Sequence, residues 1–333
     1  MSHPASSFPL ADADKCVKCA LCLPHCPTYR STLDEGESPR GRIALMQGMA
    51  SGALEVTPRL TAHLDHCLSC RACEAVCPAE VPYGRLIDAA RAELRQRGHR
   101  EPLRALAFAH GMHGKGHRRF LGAVLRLSQS LGLTGLMQRS GPAALQRLAR
   151  LLPSIPGPQR WKGTYLPHTP NGQSVSLFLG CLADITQPQV SAAAIDVLNA
   201  LGVEVRIPAS QGCCGALDQH AGRASKAVRL AETNLAAFGG DATVLGTASG
   251  CLATLKDYGL MIGEPAAGFA SGVQDVSSYI ARHGRLAELQ FKPWKVRVLV
   301  HSPCTQRNVL KSDKWVPETL KHIPDLEVDI IPA

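Results

Sequence analysis

Along the first hundred or so residues, apolar positions recur at helical spacing between short polar loops. Ser38 followed by Pro39 marks a cap and first helical position for "PRGRIALMQGMA", with Gly52 as its stop. Thr57 and Pro58 repeat that signal for "PRLTAHLDH", and a third helix is expected from Tyr83 through "YGRLIDAARAELRQRG" to a stop at Gly98. Residues 101–152 continue as basic amphipathic helix, with Phe120, Leu121, Val124, Leu125 and Leu127 set among Arg118, Arg119 and Arg126. No strand signal is read before residue 170.

The pattern changes after residues 151–172, a stretch with five prolines and three glycines that forms the clearest boundary in the chain. Beyond it, short apolar runs alternate with helical ones. "SVSLFLG" (174–180), "VEVRIPA", "ATVLGTA" (242–248), "VRVLVH" (296–301) and "LEVDII" (326–331) read as strands, with helices through "QVSAAAIDVLNALG" and after Ala224. Alternation of this kind predicts an α/β unit with a largely parallel sheet. The unit repeats: "VSLFLGC" ending at Cys181 matches "VLVHSPC" ending at Cys304, and the downstream "EVRIPA" and "EVDIIPA" end at similar distances, 209 − 181 = 28 and 333 − 304 = 29. The fold class expected is therefore multidomain α+β. A helical N-terminal domain (1–100) is followed by a basic helical linker (101–170) and an α/β domain (171–333) whose second unit is incomplete.

Composition adds two constraints. The net charge of +9 is concentrated: from Arg91 to Lys162 there are 14 Lys/Arg against Glu93 and Glu101, an excess of 14 − 2 = +12. A solvated basic face over a packed apolar stripe is the ordinary explanation. Docking on an anionic membrane surface or an acidic partner is the alternative, and nucleic acid is not expected, since no recognition module is present. No apolar run approaches the roughly 20 residues that span a bilayer, and the N-terminus lacks the order of a signal peptide. A cytoplasmic location, with peripheral attachment to the inner membrane face, is the expectation. Thirteen cysteines in such a compartment point to metal or cluster ligands more than to disulfides.

Eight of the thirteen form two equal blocks, Cys16-x2-Cys19-x2-Cys22-x3-Cys26-Pro27 and Cys67-x2-Cys70-x2-Cys73-x3-Cys77-Pro78. Three thiolates two residues apart can wrap three corners of a cubane, while the fourth, before proline, reaches the partner cluster. Cys16, Cys19, Cys22 and Cys77 are thus expected on one 4Fe-4S cluster, and Cys67, Cys70, Cys73 and Cys26 on the other. Structural zinc is the competing explanation, and it gains nothing from eight crossed cysteines. Lys15, Lys18 and Arg71 either raise the cluster potentials or are ordinary surface charges. His25 is expected to pack or hydrogen-bond rather than ligate. The helical link of 40 residues between Cys26 and Cys67 resembles the α-helical ferredoxin of succinate dehydrogenase and fumarate reductase iron–sulfur subunits.

In the C-terminal half, Cys181, the pair Cys213-Cys214-Gly215 and Cys251 are spaced so that all four thiols meet at the C-terminal edge of the sheet, the adjacent pair turning tightly on the glycines of "QGCCG". Here the chain resembles the CCG-domain family: heterodisulfide reductase catalytic subunits, the lactate-utilisation and anaerobic glycerol-3-phosphate dehydrogenase iron–sulfur proteins, and above all the glycolate oxidase iron–sulfur subunits. "CVKCALCLPHCPTYR", "SPRGRIALM", "HLDHCLSCRACEAVCPAEVPYGRLID", "GCCGALDQH", "ASGC" and "SPCTQRNVL" carry the resemblance across nearly the whole chain. It implies an electron-transfer subunit of a flavin-dependent 2-hydroxyacid dehydrogenase, with FAD on partner flavoprotein subunits and membrane quinone as acceptor. A catalytic, heterodisulfide-reductase-like site, or a subunit of a lactate or glycerol-3-phosphate dehydrogenase complex, is the alternative. Heterodisulfide reductases carry a Cys-x2-Cys after each CCG, whereas Thr254 stands three places after Cys251, so disulfide chemistry is not expected. A third cluster on Cys181, Cys213, Cys214 and Cys251 competes with buried, unligated cysteines.

By the repeat, a second cysteine pair would fall at about position 337, so the expectation is an interruption that leaves Cys304 an orphan. Among weaker signals, His110, His113 and His117 sit in a glycine-rich stretch better suited to a loop than to a metal site. Asp218 and His220 are more easily explained as fixing the CCG turn than as proton carriers. No nucleotide or flavin fingerprint is present.

Overall fold

The structure, a computed structural model, describes residues 8–99 and 114–331. His110, His113 and the first part of the expected basic helix lie outside them. The three N-terminal helices form as their caps dictate. Ser38 accepts from the Gly41 N–H to open Pro39–Ala50, and Thr57 accepts from the Leu60 N–H to open Pro58–Asp65. The third runs Tyr83–Gln96, and Gly52 and Gly98, both at positive φ, close the first and the last. Their inward residues, Met46, Met49, Leu64, Leu86 and Leu94, make one core with Ile43 and Ile87.

The described part of the basic segment holds three helices, Lys115–Ser130, Leu133–Arg139 and Ala143–Leu151, separated at Gly132 and Gly141, where φ is +71° and +123°. Its apolar stripe is not packed as expected. Leu121 and Leu125 are half-buried, but Phe120, Val124 and Leu127 face solvent and Arg118 is the buried one. Helical periodicity defines a stripe, whereas only the tertiary fold decides whether anything covers it.

Among the described residues seven strands follow: β1 (Thr164–Tyr165), β2 (Ser174–Phe178), β3 (Glu204–Arg206), β4 (Val244–Gly246), β5 (Val273–Asp275), β6 (Val296–Val300) and β7 (Leu326–Ile330). The first five make a sheet in the order β1-β3-β2-β4-β5, parallel except at β1, while β6 and β7 form a separate parallel pair. β1 lies before residue 170, where no strand was expected, and β5 is the second strand the sequence pattern misses. Each has only two or three residues, too few for a period to show. Along central β2, Val175 and Leu177 enter one core and Phe178 the other. Helices Pro188–Ala200 and Ala224–Phe238 cover the two faces through Ile195 and Leu198, and through Ala231 and Phe238.

The repeat is visible in register. Val175 pairs with Val205 and Val298 with Val328, offsets of 205 − 175 = 30 and 328 − 298 = 30. Because β3 and β4 flank β2 on opposite sides, the chain leaves β2 at a switch point, and the crevice there opens at the C-terminal ends of the strands.

Candidate iron–sulfur sites

The two N-terminal blocks share one backbone device. The residues on either side of the second cysteine in each block, Lys18 and Ala20, then Ser69 and Arg71, all have left-handed φ, between 52° and 70°. Left-handed backbone at non-glycine residues is costly. Here it curls both loops in the same way. One small apolar cavity, of about 40 Å³, is lined by Cys16, Cys19, Cys22 and Cys77, with Ile43, Val81 and Tyr83 among its walls. Cys73 lines the same cavity, so thiols of both blocks meet there.

Thiols of the two blocks also sense one another. Burial pushes the Cys73 thiol well up, and the charges of Cys67, Cys70, Cys22 and Cys26 add to that. Burial likewise raises Cys70, against the Ala72 N–H that lowers it and with Cys304, Cys67 and Cys26 raising it further. Buried thiols at such spacing ionise only against positive charge, which is what iron supplies to its ligands.

Residues that the spacing alone did not single out hold the second block in place. The Arg91 guanidinium donates to the Cys67 carbonyl (2.8 Å), the Leu64 carbonyl (3.1 Å) and Ser69 Oγ (3.0 Å). The Tyr83 hydroxyl donates to Cys67 Sγ at 3.7 Å. Cys26 Sγ lies 3.3 Å from Thr28 Oγ1 and 3.6 Å from the Glu37 carbonyl. That carbonyl and the Glu37 carboxylate are both gripped by buried Arg42. Lys15 pairs with Asp12 at 2.9 Å, and Lys18 and His25 are exposed. Arg71 is not an ordinary surface charge. It bonds Glu74 in its own loop and reaches Asp257 of the sheet region at 2.8 Å.

The CCG turn sits at the switch-point crevice. Cys181 follows β2, Cys213 and Cys214 follow β3, and Cys251 is the third residue of helix Ser249–Lys256 after β4. Cys181 and Cys213 have their sulfurs 3.6 Å apart. The contact with Cys213, burial, and the charges of Cys213 and Cys251 drive the Cys181 thiol far above the usual range. Cys214 is raised in the same way by Cys213, Cys251 and burial. Gly215, at φ +89°, makes the turn, whereas Gly212 does not use positive φ. Buried Asn234 ties the turn at both ends, accepting from the Gly212 N–H (2.8 Å) and donating to the Cys213 carbonyl (2.9 Å). The Tyr258 hydroxyl donates to the Cys214 carbonyl (2.9 Å). Neither residue has a signal in the cysteine spacing. Asp218 is fully buried on Arg223, and His220 Nδ1 lies 2.9 Å from Asp88 Oδ1 across to the N-terminal region, so both fix the loop.

A cavity of about 520 Å³ lies between the two regions, with Ser69, Arg71 and Asp88 on one side and Cys181, Cys213, Cys214, Cys251 and Thr254 on the other. Cys304 follows β6 as Cys181 follows β2. It is exposed and close enough to Cys70 to raise that thiol, and the neighbouring Asn308 donates to the Cys70 carbonyl at 2.8 Å.

Two cysteine blocks in a helical region, followed by a cysteine turn at the edge of a parallel sheet, define a two-part iron–sulfur protein. Residues 12–81 match the 4Fe-4S dicluster domain and residues 175–256 the cysteine-rich domain named for its CCG motif. The chain belongs to the family of glycolate oxidase iron–sulfur subunits. It is 34% identical to the probable glycolate oxidase iron–sulfur subunit of Bacillus subtilis (strain 168), over 94% of this chain and 75% of that protein. It is 32% identical to the glycolate oxidase iron–sulfur subunit of Escherichia coli (strain K12), over 93% and 77%. A shorter match, 26% identical over 47% of this chain and 68% of the relative, joins it to lactate utilization protein A of Bacillus pumilus (strain SAFR-032). No solved structure matches it significantly.

Proposed function

We propose that this chain is the electron-carrying subunit of a flavin-dependent 2-hydroxyacid dehydrogenase of the glycolate type, taking electrons from a partner flavoprotein and passing them toward membrane quinone. The observation that carries the reading is the juxtaposition of the sites. The loop of residues 67–77, through Ser69 and Arg71, faces the CCG turn across one cavity, bridged by Arg71 and Asp257.

Cys16, Cys19, Cys22 and Cys77 would hold one 4Fe-4S cluster, Cys67, Cys70, Cys73 and Cys26 a second, and Cys181, Cys213, Cys214 and Cys251 a third. When bound, each cluster accepts and returns one electron at a time. The chain's own part is to fix the sulfur donors and set the local field. Arg91 and Tyr83 hold the second block, Arg42 grips the Glu37 carbonyl beside Cys26, and Asn234 and Tyr258 hold the CCG turn. Thr254, buried and bonded to the Gly250 carbonyl, occupies the place of a further thiol, so the CCG turn is read as a carrier site rather than one for disulfide substrates. FAD and the hydroxyacid belong to the partner subunits.

Anaerobic reconstitution with iron and sulfide counts, followed by EPR while a reduced flavoprotein partner is added, tests this. About twelve irons per chain are expected, four per cluster, with all signals responding to the partner. About eight would remove the third site, and clusters that no donor reduces would sink the proposal.

A further inference from the structure

The three helices between the two iron–sulfur regions carry a surface that electron transfer does not use. Nine large apolar side chains are exposed between residues 115 and 151, among them Phe120 at 72%, Leu127 at 59% and Leu151 at 80%. Phe120, Val124, Leu127 and Leu131 follow one another at intervals of four, three and four residues, which places them on one stripe. The opposite face is the one that packs, with Gly122 buried and an added Cβ there 3.1 Å from Ile185.

Charge completes the pattern. No Asp or Glu occurs from Pro102 to Ala183, and the described part of that stretch carries Lys115, Arg118, Arg119, Arg126, Arg139, Arg147, Arg150, Arg160 and Lys162. The three helices are held as one piece. Gln138 donates to the Ala149 carbonyl (3.1 Å), Gln129 to the Pro153 carbonyl (2.7 Å) and Arg126 to the Pro156 carbonyl (3.0 Å).

We propose that this helical segment docks the protein on an anionic lipid surface, lying in the headgroup layer with Phe120, Leu127 and Leu131 in the acyl boundary and the arginines at the phosphates. Among the described residues no single helix is long and apolar enough to cross a bilayer. The first two of these helices reach that standard only together, and they are bent by 69° at their junction. Such a bend suits a segment lying along the interface. A specific protein interface usually intersperses charges of both signs, whereas a long single-sign stretch alternating with Leu and Phe complements a negative lipid surface. The docking surface is separate from the cysteine sites and holds or fails independently of the electron-carrying role.

The test uses the full chain with its clusters reconstituted, floated with vesicles of phosphatidylcholine alone or mixed with phosphatidylglycerol. Binding is expected only to the anionic vesicles, weakened but not abolished by salt. Leu127→Glu with Leu131→Glu should cut it at least about tenfold. Replacing Arg119, Arg147 and Arg150 by Gln should cost about fivefold for each charge removed. Far-UV circular dichroism and EPR signals should be unchanged in both variants. Equal binding to neutral vesicles, or no binding to anionic ones, overturns the proposal. So does a dimer in sedimentation velocity that Leu127→Glu dissolves, which would make a second copy the occupant.

Discussion

Lys18, Ala20, Ser69 and Arg71 hold left-handed backbone at equivalent places in the two blocks, and none is glycine. Each costs about 1–2 kcal/mol relative to right-handed backbone, a strain that persists only where the surroundings over-determine it. Ala20→Gly should therefore leave the loop geometry intact and stabilise the iron-free chain by about 1 kcal/mol, while Ala20→Val should destabilise it. Thermal melts of the apo-protein decide; a destabilised glycine variant would refute the account. Glu37 makes a second residue-scale case. Its burial favours the neutral acid, but the hydrogen bonds from His66 and His63 and the Arg42 charge outweigh that and hold the carboxyl below its ordinary value. A depressed carboxyl contributes stability that is present above its unfolded value and lost as pH falls through the folded one. Acid should thus unfold the N-terminal region progressively below the ordinary glutamate range, and Glu37→Gln should flatten that dependence in pH-resolved denaturation. Arg42→Met leaves the carboxylate buried without its guanidinium partner and should cost on the order of 3–5 kcal/mol in the same measurement.

At the scale of elements, the CCG turn shows what sequence spacing reveals and what it leaves out. The cysteines, the glycine at Gly215 and the strand before each are local patterns, and so were the caps at Ser38 and Thr57; all could be read directly. Asn234 could not. It is an interior polar residue of the helix Ala224–Phe238, 234 − 214 = 20 residues past the pair, and acquires its role only when that helix packs under the turn. The exposed stripe of the basic helices was misjudged for the same reason, since burial belongs to the assembly of elements rather than to their period. Removing the Asn234 side chain takes away its bonds to the Gly212 N–H and the Cys213 carbonyl, a loss of about 1–3 kcal/mol for each polar group that stays buried. Asn234→Leu should therefore lower iron occupancy at the CCG turn while the N-terminal EPR signals keep their intensity. Tyr258→Phe, which removes one hydroxyl that donates to the Cys214 carbonyl and accepts from Asn234, should have the milder effect. If both variants retain full iron, the turn does not depend on these buttresses.

The whole molecule depends on how its two iron–sulfur regions meet. Arg71 to Asp257 at 2.8 Å, His220 to Asp88 at 2.9 Å and Asn308 to the Cys70 carbonyl at 2.8 Å all cross that boundary. Gly222, at φ +70°, lets the chain approach the N-terminal helix so closely that a Cβ there would sit 2.4 Å from the Arg91 carbonyl oxygen. Backbone cannot yield as a flexible side chain can, so Gly222→Val must push the regions apart or distort the helix that carries Arg91. The expected result is a folded protein with its N-terminal clusters retained, a larger radius in solution scattering, and slowed reduction of the CCG site by a donor that reaches the N-terminal clusters first. Arg71→Ala and Asp257→Ala should each give a weaker form of the same change, and the double variant should lose less than the sum, because the two side chains share one contact. Asp257 is itself raised by burial, with Arg71 opposing, so the pair is a poor source of stability and a good one of alignment. Reduction of the CCG site at the normal rate in a Gly222→Val protein with intact clusters would show that electrons do not cross at this interface.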